Sequence, residues 1–113
     1  MDKLTRYPKL LKQILEKQIA LCNRLPNRAV ETYLIADDTR GDYLWMNVGW
    51  QHHERVCGTT VYVRLRNGKF FVEEDWTEDG IATELLQAGV PNEDIVLAFH
   101  EPQIRHYTEF AAA

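Results

Sequence analysis

The sequence predicts an α+β domain: an N-terminal helix, an antiparallel sheet of two hairpins, a second helix and a final strand. Three observations carry that expectation. Apolar residues recur at helical spacing near the start, the middle of the chain switches to runs of β-branched and aromatic residues, and Asn67-Gly68 marks a two-residue hairpin turn. With 113 residues, 45% of them hydrophobic, the chain suffices for one domain with its own core, spanning residues 1–113.

The first helix runs from Thr5 to about Cys22, with Leu4, Tyr7, Leu11, Ile14 and Leu21 along one stripe and Leu10, Leu15 and Ile19 beside it. Thr5 as N-cap places Pro8 in the first turn, where a missing N–H costs nothing, and Asn23 and Pro26 close the helix. Strands follow at Ala29–Ala36 and Tyr43–Trp50, separated by the turn-forming DDTRGD, then at Val56–Arg66 and Lys69–Asp75 around Asn67-Gly68. The short second loop sets Leu65 opposite Phe70, Val63 opposite Val72 and Tyr62 opposite Glu73.

That register splits the second hairpin into a core side of Val61, Val63, Leu65, Phe70 and Val72 and another side holding Tyr62, Arg64, Phe71 and Glu73. In the strand before it, Leu44, Met46, Val48 and Trp50 separate by alternation from Tyr43 and Trp45, and Tyr33 and Ile35 are expected to join the latter. The predicted interaction face is therefore Tyr33, Tyr43, Trp45, Tyr62 and Phe71. An apolar patch of that size needs a cover, either the chain's own helices or C-terminal segment, or a second copy or partner protein. Spacing does not decide between them.

Residues 73–80 read EEDWTEDG and pose the main chemical question. Thr77 is a good N-cap for a helix at 78–88, with Glu78 and Asp79 in its first turn against the helix dipole. Gly89 then serves as the residue after the C-cap, and Pro91 stops the helix. Glu73, Glu74 and Asp75 remain, and a metal-dependent nuclease or hydrolase built on Glu73, Asp75 and His100 is the enzymatic alternative. No D-x-K or E-x-K element follows, His52 and His53 are adjacent and cannot chelate together on a strand, and no nucleophile-elbow, P-loop, H-E-x-x-H or paired C-x-x-C motif is present. Neither a catalytic residue, nor a metal, nor a cofactor is expected. A last strand is predicted at 95–99, with His100 at its exit and His106 nearby; Pro102–Phe110 forms a short helix or an ordered tail.

Charge is uneven. Up to Arg28 the chain carries seven Lys/Arg against Asp2 and Glu16, whereas the rest is strongly acidic, within a net charge of −4. Lys3, Arg6, Lys9, Lys12 and Lys17 make direct nucleic-acid binding a third reading, competing with a merely solvated helix face. Cys22 and Cys57 lie far apart and outside metal-type spacing, which suits a reducing cytoplasm; neither a signal peptide nor a membrane span is expected.

GVPNEDIVLAFHEP (residues 89–102) and the RHYTEFAAA that ends the chain carry a resemblance. Together with MDKLTRYPKLL, the central VGW, the NGKFFVEED hairpin and TEDGIATELLQAGVP, they resemble the XisI family, the cyanobacterial fdxN element excision controlling factors, over essentially the whole chain. The resemblance implies a non-catalytic regulatory protein. Its implied partner is an XisH-like nuclease-type protein, and its setting a site-specific recombinase that excises a DNA element during heterocyst differentiation; self-association is a further expectation. Positions matching the family pattern include Gly49, Trp50, Asp75, Thr77, Gly80, Gly89, Pro91, His100, Arg105 and Phe110. The polar ones without a turn or cap role, with Tyr107, define a candidate polar cluster of Asp75, His100, Arg105 and Tyr107, in which Arg105 is expected to pair with Asp75 or Glu78.

Overall fold

A computed structural model describes residues 3–24 and 29–113, apart from the side chains of His106 and Tyr107. Helix α1 covers Lys3–Cys22 and buries Tyr7, Leu11, Leu15 and Ile19, one residue per turn. This stripe is narrower than predicted: Leu4 and Leu21 stand exposed at its ends. The chain is already helical at Lys3, so Thr5 is not the cap, and Pro8 falls beyond the first turn. Asn23 does end the helix, its N–H donating to the Ile19 carbonyl at 3.0 Å; the predicted role of Pro26 lies outside the described residues.

Five strands follow: β1 (Val30–Asp37), β2 (Asp42–Gln51), β3 (Glu54–Arg66), β4 (Lys69–Asp75) and β5 (Ile95–Leu97). They lie side by side in chain order. The first four are antiparallel, and β5 runs parallel to β4, because α2 (Ile81–Gln87) carries the chain back between them. Beyond β5, Ala111 bridges to Val96. The last strand is thus shorter than predicted, and Pro102–Tyr107 is a 3-10 helix.

Two turns define the central hairpins. Asn67 (φ 54°) and Gly68 (φ 72°) form the expected one. The other is His52-His53, at φ 50° and 67°, which pairs Gln51 with Glu54. Left-handed backbone at two non-glycine residues is unusual, and histidine is among the few types enriched there. The strands it joins extend past the end of the β3–β4 ladder, leaving Trp50 57% exposed beneath the guanidinium of Arg55 at 5.4 Å.

Register then departs from the sequence expectation. Counting outward from His52-His53, Met46 faces Thr59; the next pair is Trp45 with Val61, not Trp45 with Thr60. Thr60 is the extra residue of a β-bulge, anchored by Asn47, whose Nδ2 donates to the Thr60 hydroxyl at 2.8 Å. A one-residue slip exchanges the faces. Tyr43 therefore pairs with Val63 and Trp45 with Val61 on the core side, at 0% and 6% exposure, while Leu44 and Met46 turn outward with Tyr62. The predicted interaction face is corrected accordingly: Tyr43 and Trp45 belong to the core. A second bulge at Glu73 moves Tyr62 from Glu73 to Glu74 and puts Asp75 opposite Val61. Leu65–Phe70 and Val63–Val72 pair as expected.

The core lies between this side of the sheet and the two helices: Leu11, Leu15 and Ile19 from α1 and Ile81 and Leu85 from α2 meet Tyr43, Trp45, Val61, Val63, Phe70 and Val72. Its polar pins are local. The Tyr7 hydroxyl donates to buried Asp94 at 2.6 Å, Lys3 reaches the same oxygen at 2.9 Å, and the Tyr7 ring contacts Phe70. At the middle of α1, Lys12 binds Asp38 at 2.7 Å, as does the Tyr43 hydroxyl, and the two hold its carboxyl below the ordinary range. Helix α2 closes as predicted, with Gly89 at φ 95° and N–H groups of Gly89 and Val90 returning to the carbonyls of Leu86 and Leu85.

Candidate interaction face and acidic corner

The side of the sheet turned from the helices carries Tyr33, Ile35, Leu44, Met46, Tyr62 and Phe71. Pairings knit them into one surface: Tyr33 beside Met46, Ile35 beside Leu44, Leu44 beside Tyr62, and Arg64 beside Phe71. Burial is graded across it. At the β1 edge Tyr33 and Ile35 keep 36% and 41% exposure; at the β5 edge Val96, on the same side as its partner Phe71, is fully buried. The face is closed at one end and open at the other.

Charge crosses it in a narrow band. Asp42 accepts from Arg66 at 3.1 Å and from the Tyr62 hydroxyl at 3.4 Å, and lies 3.9 Å from Arg64, which lies 3.8 Å from Glu73. Burial, then Asp42, pushes the Tyr62 hydroxyl up from its ordinary value. Next to this band Glu74 accepts from the Thr59 hydroxyl and, at 2.9 Å, from the Trp76 indole. Those two hydrogen bonds lower its pKa. Trp76 itself is 75% exposed and Phe99 50%; with Tyr62, Glu73 and Glu74 they rim a shallow hollow of about 680 Å³.

Of the predicted face, then, Tyr33, Tyr62 and Phe71 stand here and Tyr43 and Trp45 do not. Sequence reasoning missed Leu44, Met46, Trp76 and Phe99. The first two were hidden by the bulge, and Phe99 by a strand that ends two residues early.

The acidic run resolves into separate duties. Asp75 Oδ1 accepts from the Thr77 N–H at 2.9 Å and hydroxyl at 2.5 Å, and Oδ2 accepts from the Ile81 N–H at 2.6 Å. Asp75 thus does the work assigned to Thr77, and α2 begins at Ile81, leaving Glu78 and Asp79 ahead of the helix. Among the described residues no group of three or more His, Cys, Asp and Glu side chains is placed to hold a metal ion. Glu73, Asp75 and His100 are not assembled: Glu73 faces Arg64, Asp75 faces the helix start, and the His100 ring packs on Phe99.

The polar cluster likewise separates. Arg105 pairs with neither Asp75 nor Glu78; its nitrogens donate to the carbonyls of His100 (2.9 Å), Ala98 (3.2 Å) and Ala112 (3.4 Å), tying the C-terminal segment to itself. A guanidinium fork suits such irregular chain, whose carbonyls lack ladder partners. His100 and Arg105 are therefore neighbours, Asp75 stands apart, and the side chain of Tyr107 lies outside the described residues. On α1, Lys3, Arg6 and Lys12 are engaged with Asp94, the Ala88 carbonyl and Asp38, so the basic helix offers less free charge than its sequence suggests.

Comparison with known proteins is consistent along the whole chain. A family model described as XisI protein matches residues 1–112. A crystal structure of a XisI-like protein from Anabaena variabilis is 35% identical, covers 97% of this chain and 99% of its own, and superposes with a TM-score of 0.89. The crystal structure of the fdxN element excision controlling factor XisI from Anabaena variabilis is 44% identical, covers 99% of this chain and 100% of its own, with a TM-score of 0.86. No curated protein matches.

Proposed function

Since this chain belongs to the XisI family, we propose that it is a non-catalytic controlling factor that works by docking onto another protein. The similar crystal structure described as an excision controlling factor supports the regulatory part. The observation that carries the docking part is the open β1 end of the sheet, where Tyr33 and Ile35 lie exposed beside Leu44 and Met46. Aromatic and aliphatic residues next to a charged band form the composition of a protein–protein contact, with an apolar centre and a polar rim. In this reading the partner is an XisH-like nuclease-type protein, and the setting is a site-specific recombinase acting on a DNA element during heterocyst differentiation, in the cytoplasm. No helix among the described residues is long and apolar enough to cross a membrane.

A pull-down with an XisH-like protein tests this. Tyr33→Ala combined with Ile35→Ala should leave the fold intact and weaken capture by about tenfold or more, as loss of two central apolar contacts does. Capture unchanged by the double variant would place the contact elsewhere. Mass in solution of the chain alone separates partner docking from self-association through the same patch.

A further inference from the structure

The two edges of the sheet are finished differently. At β5 the edge is three residues long and covered: Ala111 bridges to Val96, and its N–H donates to the Ile95 carbonyl at 2.8 Å, in a segment that Arg105 ties down. β1 is the other edge, eight residues long, and no strand among the described residues pairs with its far side. Natural edge strands are blunted by lysine, proline, a bulge or short length. β1 reads VETYLIAD, with neither lysine nor proline, and it pairs with β2 without a register shift.

The backbone shows which groups that edge offers. The Trp50 N–H donates to the Ala29 carbonyl at 3.4 Å, so alternation assigns the bonds with β2 to Glu31, Tyr33 and Ile35. The N–H and C=O groups of Val30, Thr32, Leu34 and Ala36 then face the open side. Asn23 agrees with this: its Nδ2 reaches the Thr32 carbonyl from α1 at 3.1 Å, leaving that oxygen a second lone pair. Such a row of donors and acceptors takes another strand.

A second β1 fits it. Antiparallel about a two-fold axis at Tyr33, Thr32 meets Leu34 of the second copy and Val30 meets its Ala36, each pair exchanging N–H···O bonds. Glu31 then lies opposite Ile35 of the other strand, whereas an axis at Leu34 would set Glu31 against Asp37, like charge against like. Tyr33 and Ile35, the exposed apolar residues of the strand, gather around the axis, where Tyr33 meets its own counterpart. The strand ends are complementary as well. In sequence the approach to β1 holds Arg24 and Arg28 and no acid, while its exit holds Asp37 and Asp38, and antiparallel copies set approach beside exit at both ends.

We propose that two copies of this chain join along β1, edge to edge and antiparallel about Tyr33, so that one sheet runs through both. The two open faces then lie side by side as a single surface. The contact is made by the strand's backbone edge and does not rest on the docking proposed for the face.

The test is mass in solution across a dilution series of the full chain, with amide hydrogen exchange read residue by residue on the same samples. The expected result is a dimer that dissociates on dilution, in which exchange at Leu34 and Ala36 is slower by about tenfold or more than in the dilute chain. Tyr33 and Ile35, whose N–H groups already face β2, should change far less. Ala36→Pro removes one of the outward donors at an exposed edge position, where proline is tolerated, and should be monomeric at concentrations that pair the unaltered chain. It leaves Tyr33 and Ile35 in place, so a dimer through the edge is told from one through the face, and failure here is distinct from failure of the XisH-like pull-down. A chain that stays monomeric up to its solubility limit overturns the proposal, as does a dimer whose Leu34 and Ala36 amides exchange as fast as in the dilute chain, or a folded Ala36→Pro that still pairs. Should Ala36→Pro not fold, exchange in the unaltered chain decides alone.

Discussion

On its helix side the sheet presents Tyr43, Trp45, Val61, Val63, Phe70 and Val72, none more than 6% exposed; on its other side Tyr33 and Ile35 keep 36% and 41%. Both sides draw on aromatic and β-branched residues, so hydrophobicity alone does not tell core from candidate interface. Register does. Thr60 inserts one residue into β3, and two large rings move from the outer side to the inner while Leu44 and Met46 move out. Those rings then join the core cluster that α1 and α2 share with the sheet.

The sharpest way to break that comparison is to truncate one aromatic on each side. Trp45→Ala removes a buried ring from the core and should destabilise by about 3–5 kcal/mol. Tyr33→Ala, at the open edge, should cost less, about 1–2 kcal/mol. Urea unfolding midpoints measure both, and equal losses would mean that the two sides are packed alike.

Next in size is the pin between α1 and the residues before β5. The Tyr7 hydroxyl donates to the carboxylate of Asp94, which is itself buried, and a hydrogen bond to a charged group contributes about 1.5–3 kcal/mol. Tyr7→Phe should cost that much at neutral pH, and its pH dependence carries the signature. Burial, then the bond to Asp94, pushes the Tyr7 hydroxyl up to about 12. The folded state therefore disfavours the phenolate: this stability is complete below the unfolded value of about 10 and is lost as pH rises towards 12. At Asp94 burial acts upward, but hydrogen bonds from Tyr7 and Lys3 and the charge of Lys3 outweigh it and hold the carboxyl below its ordinary value. That contribution is present above about pH 4 and is lost as pH falls through the folded value. Tyr7→Phe should flatten both limbs of a stability–pH curve. Tyr43 and Tyr62, also raised, keep part of the alkaline limb in place.

These residues also show what the sequence could and could not reveal. The β3–β4 hairpin was legible because Asn67-Gly68 admits few turns, and the end of α2 because Gly89 and Pro91 sit where a helix must stop. The β2–β3 turn was concealed by having no glycine, and the bulges by the ordinary chemistry of Thr60 and Glu73. Thr60 is held in place by Asn47, thirteen residues earlier, through a side-chain hydrogen bond that no local pattern announces. The strand alternation that located Tyr33, Tyr62 and Phe71 could not locate Tyr43 and Trp45, since one extra residue reverses it. Arg105 was legible as a residue with a task, but its partners are backbone carbonyls, which every residue has.

Smallest in energy, and most pointed for the acidic run, is the corner where β4 hands over to α2. Asp75 lies on the core side of the strand end, opposite Val61, and Glu73, displaced by its bulge, lies by Arg64. Asp75→Ala strips acceptors from the N–H of Ile81 and from both donors of Thr77; loss of such a cap costs about 0.5–2 kcal/mol. Asp75→Asn should recover part of that, because one amide oxygen still accepts while the NH₂ opposes a second donor. Glu73→Ala removes only a part-exposed ion pair at 3.8 Å and should cost about 0–1 kcal/mol. Hydrogen exchange localises the difference: the amides of Ile81–Leu85 should lose protection in Asp75→Ala and keep it in Glu73→Ala. Two carboxylates that shared a catalytic ion would respond together, losing an Mg²⁺- or Mn²⁺-dependent activity in both variants. Carboxylates with separate structural duties respond apart, and the order Asp75 before Glu73 follows from which one faces the helix start.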